Sequence, residues 1–327
     1  MPEWRFYREN VSTPLIMFRF PTDRNGRTAR APVCHAGAGF SGSSEPDDPG
    51  LSAAVDGGAG WEARIELGFE RRHGRTVVAR RHYGPLAVQK PFYPEGEVCH
   101  TYLLHPPGGI VGGDRLTIEA TVGGGGLALL TTPAAAKIYR SARDPSVQEY
   151  HLKIAAGGAL EWLPQETILF AHCRALTATR VEVERDAAFI GWEILCLGRP
   201  ASDERFDAGW CRQRMEVWRE GTPLMIERAH LKGGSSLLSA RWGLMGHTVL
   251  GTLVAVPANH ALLEAVREAV LPAPGDLFSA TRLGEVLLCR CLADHGETAR
   301  RCLMSAWSAI RPHLLGRPAC YPRIWST

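Results

Sequence analysis

The segment Trp61-Glu62-Ala63-Arg64-Ile65-Glu66-Leu67-Gly68-Phe69-Glu70 alternates between an apolar set and a mostly charged set without a break. Successive side chains of a strand point to opposite faces. This period of two therefore puts Trp61, Ala63, Ile65, Leu67 and Phe69 on one face of a β-strand and the charges on the other. The alternation returns at Leu116, Ile118, Ala120 and Val122, at Tyr150, Leu152 and Ile154, at Val181 and Val183, and at Met215 and Val217. Further β-rich runs span 98–104, 127–132, 189–197 and 224–231, with Gly or Pro in most of the gaps. Many short strands at such spacing predict a mainly β body.

A faint internal echo points to how those strands stack. The run from Leu116 to Ala120 leads to glycines, a second strand and Pro133. The run from Leu152 to Ala156 leads to Gly157-Gly158, a second strand and Pro164. A strand-turn-strand unit lying on its own copy produces this pattern, so the body is expected to be β-helix-like. The last third differs. A strand at 253–256, a helix at 261–270 with Leu262, Leu263 and Val266 on one side, and a strand at 285–291 precede a second helix near Asp294. Asp294 and Glu297 have capping-box spacing, and Pro312 is expected to end or kink the helix. The expected fold is thus a stacked-strand body with a C-terminal two-helix α/β portion, in which the helices cover a small sheet.

Order is expected to begin at Trp61, giving an extension over residues 1–60 and one domain over 61–327. Between Pro21 and Gly60 the chain is dominated by Gly, Ser, Ala, Pro and Asp, too few apolar residues to offset the entropy of ordering them. The formal net charge of +3, from 37 basic and 34 acidic residues, gives no reason to expect nucleic acid or an anionic membrane as partner. Only Lys90, Lys137, Lys153 and Lys232 are lysines, so the basic residues are overwhelmingly Arg, which reads as a composition bias. No apolar run reaches the ~18 residues of a membrane span, and Leu15-Ile16-Met17-Phe18 is too short for a signal-peptide core. The nine cysteines are odd in number, scattered and free of CxxC pairs, which suits a reducing compartment; the expected location is the cytoplasm.

The sequence holds no GxxxxGK[ST], HExxH or GxSxG. The run from Pro106 to Asp114 is rich in glycine, but no Lys-Ser/Thr follows and the next segment alternates as a strand, so it reads as a loop needing positive φ. Cys99, His100 and His105 cluster before that loop and are secondary metal candidates; Cys289 and Cys291 share a strand face. Against this, Cys is often just a small buried apolar residue. The carboxylates are more informative. Glu193 interrupts the apolar strand Phe189–Leu197, Glu227 follows Leu224-Met225-Ile226, Glu166 follows Pro164-Gln165, and Asp114 ends the Gly-rich loop. A buried acid costs several kcal/mol unless paired, hydrated or bound to a cation. Pairing with an Arg such as Arg140, Arg199 or Arg228 is one resolution, and a wet polar channel is the other.

Several segments carry a family resemblance. They are Gly84-Pro85-Leu86-Ala87-Val88-Gln89-Lys90-Pro91-Phe92-Tyr93-Pro94-Glu95, the run from His105 to Asp114, Thr131-Thr132-Pro133-Ala134-Ala135-Ala136-Lys137-Ile138-Tyr139-Arg140, the run from Leu160 to Glu166, Cys196-Leu197-Gly198-Arg199-Pro200, and the closing Pro322-Arg323-Ile324-Trp325. In this order, from about Trp61 to Thr327, they resemble the urease accessory protein D family, called the H protein in some species. The resemblance implies a non-enzymatic urease maturation factor. It implies a scaffold bridging apo-urease to the accessory proteins F and G, the latter a nickel-carrying GTPase, and an internal water-filled route that conducts nickel toward the urease active site. Carried over by motif, Asp114, Glu193 and Glu227 fall at acidic positions along that route, and Glu166 sits in a family motif as well. Ala136 precedes the motif Lys137, so no hydroxyl is available there. Nickel would be in transit and no cofactor tightly bound. The alternative is a metal-dependent hydrolase using Asp114 and nearby histidines, which needs an open metal site of fixed geometry.

Overall fold

The computed structural model describes residues 60–326; the extension expected over residues 1–60 lies outside them apart from Gly60. The alternating opening segment becomes β1 (Glu62–Arg72), with Ala63, Ile65, Leu67 and Phe69 buried and the charges facing out. It turns at His73-Gly74, both at positive φ, into β2 (Arg75–Tyr83), the two-residue hairpin geometry that matches strand twist. β3 (Ala87–Val88) and β4 (Cys99–Leu104) cross to a second sheet. Three similar coils follow. The first is β5 (Arg115–Val122), β6 (Leu127–Thr131) and β7 (Ala136–Ile138). The second is β8 (Ser146–Ile154), β9 (Ala159–Leu163) and β10 (Thr167–Leu169). The third is β11 (Arg174–Val183), β12 (Ala188–Arg199) and β13 (Glu204–Arg205). The hairpin β14 (Trp210–Arg219) and β15 (Thr222–Lys232) leads through the one-turn helix α1 (Ser236–Ser239) to β16 (Val249–Val256). Then come α2 (His260–Ala269), β17 (Leu277–Leu283), β18 (Val286–Ala293) and α3 (Gly296–Leu315).

β5, β8, β11 and β14 stack in parallel beside β1 in a seven-stranded sheet ordered β15-β14-β11-β8-β5-β1-β2. β4, β6, β9 and β12 stack in parallel in the second sheet. Ala120 lies beside Leu152 and Leu152 beside Val181; in the other sheet Leu127 lies beside Ala159 and Ala159 beside Ala188. The internal echo is therefore real, but its register is shifted: Leu116 pairs with Gln148, not with Leu152. One apolar core fills the space between the sheets. A second lies between the outer face of the second sheet and helices α2 and α3. The Arg-rich composition finds a use on the outer face of the first sheet, where Arg64 reaches Glu119 at 2.9 Å and Arg115 reaches Glu149 at 2.6 Å across neighbouring strands.

The two C-terminal helices are present, with three differences in detail. β16 pairs antiparallel with β12, so the expected small sheet is an extension of the second sheet, carrying the extra strand β17. Asp294 does not cap α3: the N-cap is His295, and the Asp294 carboxylate instead meets His247 Nδ1 at 3.0 Å. Pro312 does not end the helix, which continues to Leu315 and stops at Gly316, at φ 64. Burial of Ile310 and Arg311 before the proline, and packing of Leu314 and Leu315 after it, outweigh the lost backbone hydrogen bond. Among the described residues no helix is long and apolar enough to cross a membrane.

The alternation of β1 makes a contrast that thermal denaturation can check. Ile65→Ala removes a side chain with no solvent exposure and is expected to cost roughly 2–5 kcal/mol. Arg64→Ala, one residue away on the exposed face, should cost no more than about 1 kcal/mol. Equal losses would mean that the register of β1 is wrong by one residue.

Candidate functional site

Because parallel strands stack in register, inward side chains at one depth form rows along the stack. In the first sheet, Gln148 on β8 neighbours Thr177 on β11, which neighbours Gln213 on β14. The next inward row is Tyr150, Thr179, Met215 and Glu227. In the facing sheet, Glu193 on β12 lies beside Thr252 on β16, and Thr252 beside Arg290 on β18. Gln148, Thr177, Thr179, Gln213, Glu227 and Thr252 are all buried. These rows face one another and form a polar file inside an otherwise apolar core.

The file is joined across the sheets at two places. The Glu193 carboxylate accepts hydrogen bonds from the Thr179 hydroxyl and the Gln213 amide. Further along, Arg290 donates to Glu227 Oε2 at 2.7 Å and to the Thr252 hydroxyl at 3.0 Å. At the other end a cavity of about 320 Å³ opens between the sheets. Glu193, Gln148, Tyr150 and Thr177 form its polar inner wall, and His105, Gly108 and Gly109 of the Gly-rich segment and Lys137 of β7 also line it. Burial pushes the Glu193 carboxyl up from 4.5 to about 7; the Thr179 and Gln213 hydrogen bonds oppose this, and the charge of Glu227 adds to it. Burial lowers the pKa of His105, partly offset by the nearby Asp114 charge.

The acids singled out in the sequence occupy four different settings. Glu193 lines the cavity. Glu227 lies on the file beyond it, paired with Arg290 and not with any of the three arginines considered from sequence. Asp114 is a loop anchor: Oδ1 accepts from the Trp61 backbone N–H and Oδ2 from that of Val111, each at 2.9 Å. Glu166 is turned toward the N-terminal end of α3, 3.7 Å from Arg300 and beside Gly296, while its neighbours Gln165 and Thr167 line the cavity. The secondary candidates are not brought together. Cys99 is buried in the inter-sheet core against Tyr93 and Thr101, and burial raises its thiol pKa. His100, the next residue, takes the opposite face of β4 and contacts Glu95, and His105 is at the cavity. In the Gly-rich loop, Gly108 and Gly113 take positive φ as expected. Gly109 and Gly112 are needed for close approach, since a Cβ would lie 2.4 Å from the Tyr139 ring and 2.1 Å from the Ser141 hydroxyl.

The fold and site define a class: a two-sheet, stacked-strand protein in which a cavity opens onto an internal file of hydrogen-bonded polar side chains. Residues 62–326 match the family described as the UreD urease accessory protein. A Brucella anthropi protein named urease accessory protein UreD 2 is 46% identical over 273 residues, covering 82% of this chain and 99% of its own length. Proteins named urease accessory protein UreD from Citrobacter koseri and Alkalilimnicola ehrlichii are 46% and 47% identical, covering 82% and 86% of this chain and 92% and 96% of their own lengths. The chain belongs to the UreD family of urease accessory proteins, and is an accessory factor in urease maturation.

The desolvated Glu193 carboxyl should make stability depend on pH. Between about 4.5 and about 7 the folded protein keeps a proton that the unfolded chain has released. Stability contributed by the neutral carboxyl is therefore full below the lower value and is lost as pH rises through the upper one. The expected loss is at most about 3 kcal/mol. Glu193→Gln should flatten the pH dependence of Tm across this window, and parallel curves for the two proteins would show that Glu193 does not titrate there.

Proposed function

We propose that this chain acts in urease maturation as a scaffold that bridges apo-urease to F- and G-type accessory proteins, and that its polar file conducts nickel toward the urease active site. The observation that carries this reading is the placement of Glu193. A carboxyl with no cationic partner among the described residues lies half-buried between the sheets, on the wall of the cavity and in line with Glu227. Carboxylates, amides and hydroxyls bind nickel more weakly than clustered thiolates and imidazoles. Such a row suits a path in which the ion must enter readily and also leave. Entry of a divalent cation displaces the proton of Glu193, so occupancy of the path should rise as pH passes about 7. The membership of the chain in a urease accessory family supports urease as the recipient; cytoplasmic assembly of the complex is part of the same proposal.

The test separates conduction from assembly. Glu193→Gln keeps the size and the hydrogen-bonding capacity of the side chain and removes its charge. Co-expressed urease should then contain several-fold less nickel per active site, while pull-down of apo-urease and of the F-type partner stays at the wild-type level. Glu227→Ala is the contrasting variant. It removes the carboxylate paired with the mostly buried Arg290, at a cost of up to roughly 3–5 kcal/mol, so the protein should lose solubility and the complex with it. Normal nickel loading with a normal complex in Glu193→Gln would eliminate conduction through this file.

A further inference from the structure

On the opposite side of the second sheet from the polar file lies a separate cluster of ionisable groups. His100 on β4 neighbours Leu129 on β6, and Leu129 neighbours Glu161 on β9, so all three present to the helix side of the sheet. Arg311 of α3 descends onto this row, wholly buried. Its Nε lies 2.9 and 3.0 Å from the two oxygens of Glu161, and one terminal nitrogen lies 2.6 Å from Glu95 Oε1. The same Glu95 oxygen lies 2.7 Å from His100 Nε2. Burial opposes ionisation of Glu95, but the hydrogen bonds from His100 and Arg311 outweigh it and hold the carboxyl down at about 2. One guanidinium thus serves two carboxylates.

Two features of the cluster remain unused by this network. His100 has no solvent exposure, and among the described residues its Nδ1 has no hydrogen-bond partner, so the imidazole keeps bonding capacity that the surrounding groups do not take up. Cys320, in the segment after α3, brings its thiol to the same place: one ligand atom each from Glu95, His100 and Cys320 lie within 4.8 Å of one another. Cys320 is only partly buried, which gives an ion a way in. Ligands around a tetrahedral ion sit roughly 3.3–3.8 Å apart, so closing the set takes about 1 Å of side-chain movement. We propose that Glu95, His100 and Cys320 form a binding site for a divalent transition-metal ion of the Zn²⁺ or Ni²⁺ type, distinct from the polar file.

The donor set of one imidazole, one thiolate and one carboxylate selects borderline metals over Mg²⁺ or Ca²⁺. Charge favours it too. With Glu95 and Glu161 ionised, Arg311 charged and Cys320 bound as the thiolate, a divalent ion brings the buried cluster to neutrality. Coordination through His100 Nε2 moves the imidazole proton to Nδ1, releases the thiol proton of Cys320, and replaces the His100–Glu95 hydrogen bond with two metal–ligand bonds. None of the three ligands lines the cavity, so this site does not depend on nickel conduction through Glu193.

Cobalt(II) is the probe, titrated into the reduced full-length protein. One equivalent should produce a thiolate-to-cobalt charge-transfer band, and Zn²⁺ or Ni²⁺ should displace the cobalt, the one effective at lower concentration being the preferred occupant. Cys320→Ser, at a partly exposed position that tolerates the change, should abolish the band and weaken binding roughly tenfold or more. His100→Asn should weaken it similarly, whereas Glu193→Gln should leave the band intact. The proposal is overturned if Cys320→Ser retains the band, if the band does not saturate at one equivalent, if neither competing metal displaces cobalt, or if Glu193→Gln is the variant that loses the signal.

Discussion

In-register stacking of parallel strands is the constraint on which the rest of this molecule depends. Each coil sets its side chains beside those of the coil before, so a residue at a given depth has its counterparts to either side: Tyr150 beside Thr179, Thr179 beside Met215, Met215 beside Glu227. An isolated polar residue inside such a body would be a costly defect. A row of them facing a second row can satisfy its own hydrogen bonds, as Glu193, Thr179 and Gln213 do across the gap between sheets. The repeat that makes the core cheap to extend is thus the device that lets polarity run through it in a line.

The two buried acidic centres handle their charge differently. On the file, Glu227 is paired with Arg290, while Glu193 has neutral partners and is held near neutrality by burial. On the helix side, Arg311 is shared between Glu95 and Glu161, and Trp307 Nε1 adds a second donor to Glu161 at 3.0 Å. The first arrangement can change its charge without breaking an ion pair. The second is a fixed electrostatic tie between α3 and the sheet.

Much of this was legible in the sequence, and the gaps have physical causes. Period-two runs such as Ala63 to Phe69 identified strands because one face is dry and the other wet. Strands with polar residues on the dry face were only half read. Met215 and Val217 were seen, but extending the alternation back through Gln213 to Cys211 would have put an amide in the core. Thr177 and Thr179, between Ala175 and Val181, and Arg290, between Leu288 and Leu292, carry the same signal. β2 was missed because it is an edge strand with few buried residues. β7, β10 and β13 are too short for any period to show. Glu193 stood out because it interrupts an apolar run, whereas Asp114 looked similar in sequence and proved to hold a loop through two backbone N–H groups. The union of Glu95 and His100 with Cys320 joins one early segment to another near the C-terminus and left no local pattern to find.

The reach of Arg311 back to Glu161 has a consequence for how the chain is made. Glu161 lies on a middle strand of the second sheet, and its counter-charge is encoded 150 positions later. Until α3 has left the ribosome, that carboxylate and the apolar row around it face water, and the outer surface of the sheet has no cover. The inter-sheet core can condense as successive coils emerge, because its contacts are between neighbouring coils. The helix side can close only when synthesis is almost complete. A chain released early would carry a finished interior and a bare, sticky flank, so loss of even a short C-terminal piece containing Arg311 would be expected to yield an aggregating product and not a smaller working one.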